Sequence, residues 1–185
     1  MEELSLHILD IAENSIAAGA KRVDIRIGES RREDLLSIEI ADDGSGMRED
    51  VLQKATDPFF TSRTTRRVGL GLPLFEQAAR AAGGECRIVS RPGSGTTVTG
   101  VFRYSHVDRQ PLGDIAETLL TLVVGNPGME FTCRLQTDDA DVFFSTAEME
   151  AELRGAPIHS PAGIAAVRKS LERLREGVTH AVGSR

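Results

Sequence analysis

The sequence predicts an α+β two-layer sandwich, a mixed sheet covered by helices on one face. The first observation behind this class is the order of the predicted elements, which is helix, strand, strand, helix, strand, strand over residues 4–104. The second is that the predicted strands alternate apolar and polar residues, as in a sheet with one buried face. A small α/β segment follows, and we predict two domains, residues 1–106 and residues 107–185.

The elements of the first domain follow from periodicity and turn residues. Apolar residues at helical spacing predict a first helix that ends at Gly19, and "KRVDIRIGE" and "LLSIEIAD" predict two strands. We expect a short helix over residues 47–54, an irregular segment over residues 55–69, and a longer helix over residues 70–82 with Pro73 in its first turn. Two more strands, "ECRIVSR" and "GTTVTGVFRY", flank the turn "RPGSG".

The second predicted domain begins after "SHVDRQPLGD", which we interpret as a linker. We expect a helix over residues 112–124, then a hairpin made of "MEFTCRLQ" and "DVFFS" around the acidic turn "TDDA". Ser145 with Glu148 predicts a capping box at the next helix, and Ser160 with Pro161 predicts the start of the last one. For the role of this segment, regulation, dimerisation and docking of a partner all stay open.

Composition excludes several classes of protein. Of the 185 residues, 40% are hydrophobic and 27% are charged, which is ordinary for a globular domain. No apolar run approaches the ~20 residues of a membrane span, and the acidic start "MEELSLHILD" is unlike a secretory signal. A net charge of -6 argues against a broad nucleic-acid-binding surface. We therefore expect a cytoplasmic protein that binds neither membranes nor nucleic acid.

One face of the first predicted helix is polar where it borders the apolar stripe. His7, Asp10 and Asn14 share this face, while Glu13 lies off it. Asp and Asn are poor helix formers in a helix interior, because their side chains compete for backbone groups. For each residue alone, a solvated stripe is the ordinary explanation. The face becomes informative only together with motifs further along the chain.

Those motifs begin where the second predicted strand ends. The strand runs into "DDGSGM", and "DPFFTSRTTRRVGLGLPL" and "GSGTTV" follow later. An acidic residue before alternating glycines indicates by itself only a tight turn. Several such motifs in a fixed order are much more specific. Two competing nucleotide motifs are absent, since the sequence has no P-loop pattern and no third Rossmann glycine.

Residues 6–104 resemble the ATP-binding domain of the GHKL superfamily, which has the Bergerat fold and includes DNA gyrase, heat-shock chaperones, sensor histidine kinases and MutL. "ENSIAAGA" resembles the N box, "DDGSGM" the first glycine box, and "DPFFTSR" the phenylalanine box of the kinases. "GLGL" resembles the second glycine box and "GSGTTV" the last one. The resemblance implies that the first domain is a histidine kinase-like domain that binds ATP with Mg²⁺.

The resemblance also implies roles at the base end of the nucleotide. Asp42 would accept a hydrogen bond from the adenine amino group, which distinguishes adenine from guanine. Thr96 is at the position that resembles the family's water-mediated adenine contact. Gly44 and Gly46 would let the backbone approach the base closely, and Met47 completes the same motif.

At the phosphate end, the resemblance implies that Asn14 would bind Mg²⁺ through its side-chain oxygen. Gly69, Leu70 and Gly71 begin a predicted helix, so their amides and the positive end of the helix dipole would face the phosphates. Arg63 belongs to the basic segment before this helix. It would either reach the terminal phosphate when the ATP lid closes or stay solvated.

Asp10 is the candidate catalytic residue, one helical turn before Asn14. The gyrase and MutL branches carry a Glu at the position that Asp10 resembles, and this Glu activates the attacking water, whereas histidine kinases more often carry an amide. Asp can act as a general base but is one methylene shorter than Glu, and a displacement of about 1 Å can cost roughly a hundredfold in rate. We interpret His7 as a structural residue rather than a phosphoacceptor.

The combination of "DPFFTSR" and "GLGL" favours a signalling protein similar to the catalytic domain of sensor histidine kinases. Only the start of the first helix precedes Asn14, so we expect the phosphoacceptor to lie on another protein, response-regulator-like or otherwise. One alternative is a conformational ATPase closer to MutL or gyrase that uses Asp10. Another is a nucleotide sensor without catalysis. A homodimer is a further option.

Overall fold

The computed structural model describes residues 3–55 and 71–183, with side chains described as far as Arg175. In chain order the elements are α1 (Leu4–Ala17), β1 (Arg22–Ser30), β2 (Leu35–Asp42), α2 (Glu49–Leu52), α3 (Gly71–Ala81), β3 (Glu85–Ser90), β4 (Thr96–Arg103), α4 (Ile115–Gly125), β5 (Glu130–Gln136), β6 (Asp141–Ser145), α5 (Thr146–Glu152) and α6 (Pro161–Gly183). The predicted order of helices and strands is confirmed.

The element ends follow local capping chemistry. The Asp114 carboxylate accepts a hydrogen bond of 2.9 Å from the Glu117 N–H, so α4 begins at Ile115 and not at residue 112 as the sequence predicted. Ser145 caps α5 as expected, because its hydroxyl accepts from the Glu148 N–H. Polar side chains that compete for backbone groups thus fix where these helices start.

The six strands form one mixed sheet in the order β3-β4-β2-β1-β5-β6. β1 pairs with β5 in parallel, and the other four pairings are antiparallel. The register places Ile25 opposite Ile40 and also opposite Cys133, and it places Ile40 opposite Val98. Side chains alternate between the faces of a sheet, so these apolar residues form one buried row.

The helical layer lies on this buried face. Its centre is Phe75 of α3, which is fully buried and packs edge-to-face on Phe102 of β4 with ring centroids 5.7 Å apart. A Cβ at Gly100 would lie 2.4 Å from the Phe75 ring, so the missing side chain is what lets α3 settle onto β4. α1 packs against both α3 and α4, and the predicted α+β two-layer architecture is confirmed.

The chain beyond residue 106 joins the same sheet. β5 pairs with β1 on the side opposite β2, and β6 is the edge strand beyond β5. α6 packs against β6 and against α4. The expected linker is bonded to the start of α1, since the Leu4 N–H donates to the Pro111 carbonyl at 2.9 Å and the Ser5 N–H to the Leu112 carbonyl at 2.8 Å. Both predicted segments therefore contribute strands to one sheet.

Among the described residues, no helix combines the length and apolar character needed to cross a membrane.

Candidate functional site

Four segments carrying the sequence motifs meet at one end of the sheet. These are the second half of α1, the turn that follows β2, the turn between β3 and β4, and the N-terminal end of α3. The first three are joined by hydrogen bonds, and the fourth rests on the polar face of α1. Motifs far apart in sequence therefore form a single candidate site.

Asp42, the last residue of β2, is the centre of these hydrogen bonds. Its Oδ1 accepts from the Gly44 N–H at 2.8 Å and from the Thr96 N–H at 3.3 Å. Its Oδ2 accepts from the Ser15 hydroxyl of α1 at 2.7 Å. The side chain is half-buried, so it is held by three donors while part of it remains accessible.

Glycines allow the turns around Asp42 to touch. A Cβ at Gly46, whose φ is +64°, would lie 1.9 Å from the Arg91 carbonyl oxygen. A Cβ at Gly95 would lie 1.8 Å from the carbonyl oxygen of Asp42. Only glycine fits such backbone contacts, since 1.9 Å is far inside van der Waals distance. At Gly44 the nearest atoms, from Asp42 and Ala18, would be 3.0 to 3.1 Å away.

Met47 and Thr96 are joined through a serine. The Met47 N–H donates to the Ser90 hydroxyl oxygen at 2.8 Å, and that oxygen lies 2.9 Å from the Thr96 hydroxyl. Thr96 also donates its backbone N–H to Asp42. The first and last glycine motifs are thus fixed to one another beside the Asp42 carboxylate.

The residues predicted for the phosphate end also come together. A Cβ at Gly71 would lie 3.3 Å from the Asp10 Cβ, 3.7 Å from the Asp10 Oδ2 and 3.5 Å from the Asn14 Nδ2. The N-terminal end of α3 therefore faces both polar residues of α1. Unpaired backbone amides and the positive end of the helix dipole occur at such an end, which suits an anionic ligand.

Three of the sequence-predicted site residues lie outside the described residues. They are Arg63, Gly69 and Leu70. The segment predicted to form the ATP lid, including the basic stretch that contains Arg63, falls in the same part of the chain.

The residues predicted for the phosphate end fit a magnesium nucleotide better than a metal bound by protein alone. In residues 3–55 and 71–183, no three His, Cys, Asp or Glu side chains converge as a metal site. Mg²⁺ prefers oxygen ligands, and commonly takes one or two from the protein and the others from phosphates and water. The Asn14 amide, beside the Asp10 carboxylate and the start of α3, offers that kind of donor set.

His7 makes contacts typical of a structural residue. It is 1% exposed, its Nε2 donates to the Gln110 side-chain oxygen at 3.0 Å, and its ring lies 5.8 Å from the Phe75 ring. Burial lowers the pKa of His7 below its ordinary value of 6.5, so the ring is neutral near pH 7. His7 therefore ties α1 to α3 and to the segment before α4.

Sequence reasoning missed two hydroxyl groups of this site. Ser15 follows the helical spacing of the apolar stripe of the first helix, yet its hydroxyl donates a hydrogen bond to Asp42. Ser90 is the second-to-last residue of the predicted strand "ECRIVSR" and belongs to no motif, yet it joins Met47 to Thr96. A small polar residue at a core-facing position beside Asn14 was the available signal for Ser15. Nothing in the sequence indicates Ser90.

Residues 2–106 match the family described as histidine kinase-, DNA gyrase B- and HSP90-like ATPase. The match covers more than half of the 185 residues. The chain belongs to this family, and residues 2–106, which include α1 to α3 and β1 to β4, are its ATP-binding domain of the GHKL type.

Two similar curated proteins are bacterial sensor kinases. The sensor protein kinase FleS of Pseudomonas aeruginosa is 37% identical over 110 residues, which is 60% of this chain and 27% of FleS. The signal transduction histidine-protein kinase AtoS of Escherichia coli is 36% identical over 99 residues, 53% of this chain and 16% of AtoS. The chain therefore spans only a minor part of the length of either kinase.

A solved structure supports the fold. The N-terminal domain of a DNA repair protein superposes with a TM-score of 0.53, covering 78% of this chain and 52% of that chain at 14% identity. At this identity the likeness concerns architecture alone. Its coverage of this chain extends beyond the residues that match the family.

Proposed function

We propose that this protein binds ATP with Mg²⁺ and acts in signalling as a histidine kinase-like enzyme that passes the terminal phosphoryl group to another protein. The observation that carries the proposal is the Asp42 carboxylate, held by Ser15, Gly44 and Thr96 at one end of the site. The kinase motifs and the sensor-kinase relatives support the same reaction class.

At the base end, Asp42 accepts a hydrogen bond from the exocyclic amine of adenine. A guanine would present a carbonyl oxygen to the same carboxylate, and two acceptors repel each other. Thr96 takes part through its hydroxyl, directly or through a bridging water. Gly44, Gly46 and Met47 form the backbone surface beside the base.

At the phosphate end, Asn14 supplies the protein ligand to the metal, and Gly71 with Gly69 and Leu70 supplies backbone amides. Mg²⁺, when bound, neutralises phosphate charge and orients the terminal phosphoryl group. Arg63 is proposed to contact that group from the lid. The closeness of Gly71 to Asn14 supports this part of the proposal, since a Cβ added at Gly71 would lie 3.5 Å from the Asn14 Nδ2.

A second candidate function is a conformational ATPase in which Asp10 is the general base toward water. It is favoured by one observation, the position of the Asp10 carboxylate against the N-terminal end of α3. In this version water, and not a protein side chain, receives the phosphoryl group. A sensor that binds nucleotide without catalysis would use the same ligand residues and leave Asp10 without a chemical role.

We propose that the phosphoacceptor of the kinase version lies on a partner protein. The burial of His7, the histidine on the site's own helix, and its hydrogen bond to Gln110 support this proposal. Residues 107–185 are proposed to serve regulation, docking of the partner or homodimer formation. Their direct bonding to the start of α1 supports a link between that segment and the site.

The decisive experiment measures Mg²⁺-dependent release of phosphate from ATP by the full chain, beside Asp10→Ala and a matched control, Glu13→Ala. Glu13 is an acidic residue of the same helix that lies off the site-facing stripe. ATP binding is measured by calorimetry for all three proteins. Incubation with γ-labelled ATP and candidate response-regulator proteins then tests phosphoryl transfer.

The outcomes separate the three versions. Hydrolysis lost in Asp10→Ala but kept in Glu13→Ala, with binding retained in both, supports the ATPase. Transfer of label to a partner in the absence of hydrolysis supports the kinase. Tight binding with neither reaction supports the sensor, and absence of ATP binding by the unmodified chain rejects all three.

A further inference from the structure

A buried hydroxyl connects the helix of the N box to the proposed adenine site. Ser15 is 4% exposed, and its Oγ lies 2.7 Å from the Asp42 Oδ2 and 3.3 Å from the Ile11 carbonyl oxygen of its own helix. A hydroxyl has one hydrogen to donate. The shorter distance and the charged acceptor both assign that hydrogen to Asp42.

The Asp42 carboxylate then accepts nearly as many hydrogen bonds as it can. An ionised carboxylate accepts about four hydrogen bonds, two at each oxygen. Oδ1 accepts from the Gly44 and Thr96 backbone N–H groups, and Oδ2 accepts from Ser15. Counting donors from the described residues, one acceptor position is left, and it is on Oδ2. The other three bonds define the orientation of the carboxylate.

We propose that Ser15 is a positioning residue for base recognition, which orients the Asp42 carboxylate so that its one remaining acceptor position on Oδ2 receives the exocyclic amine of adenine. This inference rests on the proposed function, because it names how that site selects its nucleotide. Of the three donors to Asp42, two are backbone groups, so Ser15 is the side chain through which the sequence sets this orientation.

The position of Ser15 gives this role a reason in the fold. It follows Asn14 directly, and Asn14 faces Gly71 at the phosphate end of the site. Successive residues of one helical turn thus contact the base-end carboxylate and the phosphate end. Because Ser15 serves the base end and Asn14 the phosphate end, loss of the Ser15 bond should affect recognition of the base selectively.

The test compares two nucleotides that differ at one group. ATP carries the 6-amino group, and the triphosphate of unsubstituted purine riboside lacks it. Binding of both to the full chain is measured by calorimetry for the unmodified protein and for Ser15→Ala. We expect the unmodified protein to prefer ATP, and Ser15→Ala to lose about tenfold in ATP affinity while binding of the purine analogue changes by less than about twofold.

Two further variants serve as controls. Ser15→Thr keeps the hydroxyl and should retain most of the preference for ATP. Ser5→Ala removes another buried serine hydroxyl, which donates to the Glu3 carboxylate at the start of the same helix. Ser5 lies ten residues before Ser15 and makes no bond to Asp42, so this variant should leave both affinities unchanged. Circular dichroism and urea unfolding of each variant report whether the fold is intact.

The possible results separate the role of Ser15 from the recognition of adenine by Asp42. Equal losses for ATP and for the purine analogue in Ser15→Ala would show a structural role of Ser15 and overturn the inference. An unchanged preference for ATP in Ser15→Ala would overturn it as well. If the unmodified protein bound the two nucleotides equally, or bound neither, the proposed recognition of adenine by Asp42 would itself fail.

Discussion

Gly71 lies so close to Asp10 that a Cβ added at Gly71 would be only 3.3 Å from the Asp10 Cβ. This closeness brings the middle of α1 to the start of α3, two elements separated along the chain by both central strands. It explains why a glycine stands at the N-terminal end of a helix, where it costs helix propensity relative to alanine. The close approach allows backbone amides of α3 to share one space with Asp10 and Asn14.

Gly71→Ala should lower the affinity for Mg-ATP clearly while changing the free energy of unfolding only a little. The added methyl group forces α1 and α3 apart by a few tenths of an ångström at the phosphate end. Alanine also favours a helix by up to ~1 kcal/mol, which offsets part of the strain. We expect the affinity for Mg-ATP to fall about tenfold, an amount that a small misalignment of ligand groups accounts for. Calorimetry and urea unfolding measure the two effects.

Gly125→Ala is the matched control for that substitution. Gly125 ends α4, and a Cβ there would meet no atom within 4 Å. The variant should bind Mg-ATP like the unmodified protein and be equally or slightly more stable. Identical nucleotide affinities of Gly71→Ala and Gly125→Ala would argue against a role of the α1–α3 contact in binding.

Asp42→Asn and Asp43→Asn should separate recognition from local structure. Asparagine at position 42 replaces a charged acceptor with a side chain that can present an N–H donor to the adenine amine. The expected loss of ATP affinity is about 1.5 to 3 kcal/mol, the value of a hydrogen bond to a charged group. Calorimetry of the folded variant measures this loss directly.

The neighbouring carboxylate provides the comparison. Asp43 is exposed and accepts from the Arg22 N–H at 2.9 Å and from the Lys21 N–H at 2.7 Å, and these bonds hold its pKa below the ordinary value. Asp43→Asn should lower stability slightly and leave ATP affinity unchanged. A larger loss of ATP affinity in Asp43→Asn than in Asp42→Asn would contradict the assignment of base recognition to Asp42.

Gly46→Ala should be much more destabilising than Gly93→Ala. Both glycines have a positive φ, +64° and +71°, so both variants carry the cost of about 1 to 2 kcal/mol for an L-residue in that region. A Cβ at Gly46 would also lie 1.9 Å from the Arg91 carbonyl oxygen, whereas at Gly93 it would meet nothing within 4 Å. Urea unfolding of the two variants isolates the effect of the clash, and equal stabilities would contradict it.

The polar face of α1 and the turn after β2 were predictable because their signals are local. Helical spacing brings Asp10 and Asn14 to one face, and alternating glycines next to Asp42 mark a turn that approaches another backbone. These local patterns, together with the resemblance, identified residues that the fold brings together.

Pairings between distant segments were not predictable in this way. The parallel pairing of β1 with β5 places Arg22 opposite Glu130, across more than a hundred residues, and no short pattern encodes such a choice. The bond from Ser15 to Asp42 depends on the same kind of information, because it requires the packing of α1 on the end of β2. Tertiary contact decided which polar groups meet.

Acid should destabilise the fold partly through Asp34, which lies in the turn between β1 and β2. Its carboxylate accepts from the Arg103 Nε at 2.8 Å and from the Ser105 N–H at 2.7 Å. The hydrogen bond from Arg103 is the main reason that the pKa of Asp34 lies below its ordinary value of 3.8. The folded state therefore favours the ionised form more strongly than the unfolded state does.

The direction of the pH effect follows from this difference. A depressed pKa adds stability that is complete above the unfolded pKa of 3.8 and is lost as the pH falls through the folded value. Asp34→Asn should thus be less stable than the unmodified protein near pH 6 and lose less stability between about pH 4 and about pH 2. Asparagine accepts the φ of +54° at this position, so the backbone is not strained. Urea unfolding of both proteins across this pH range measures the difference, and parallel curves for Asp34→Asn and the unmodified protein would exclude Asp34 as a contributor.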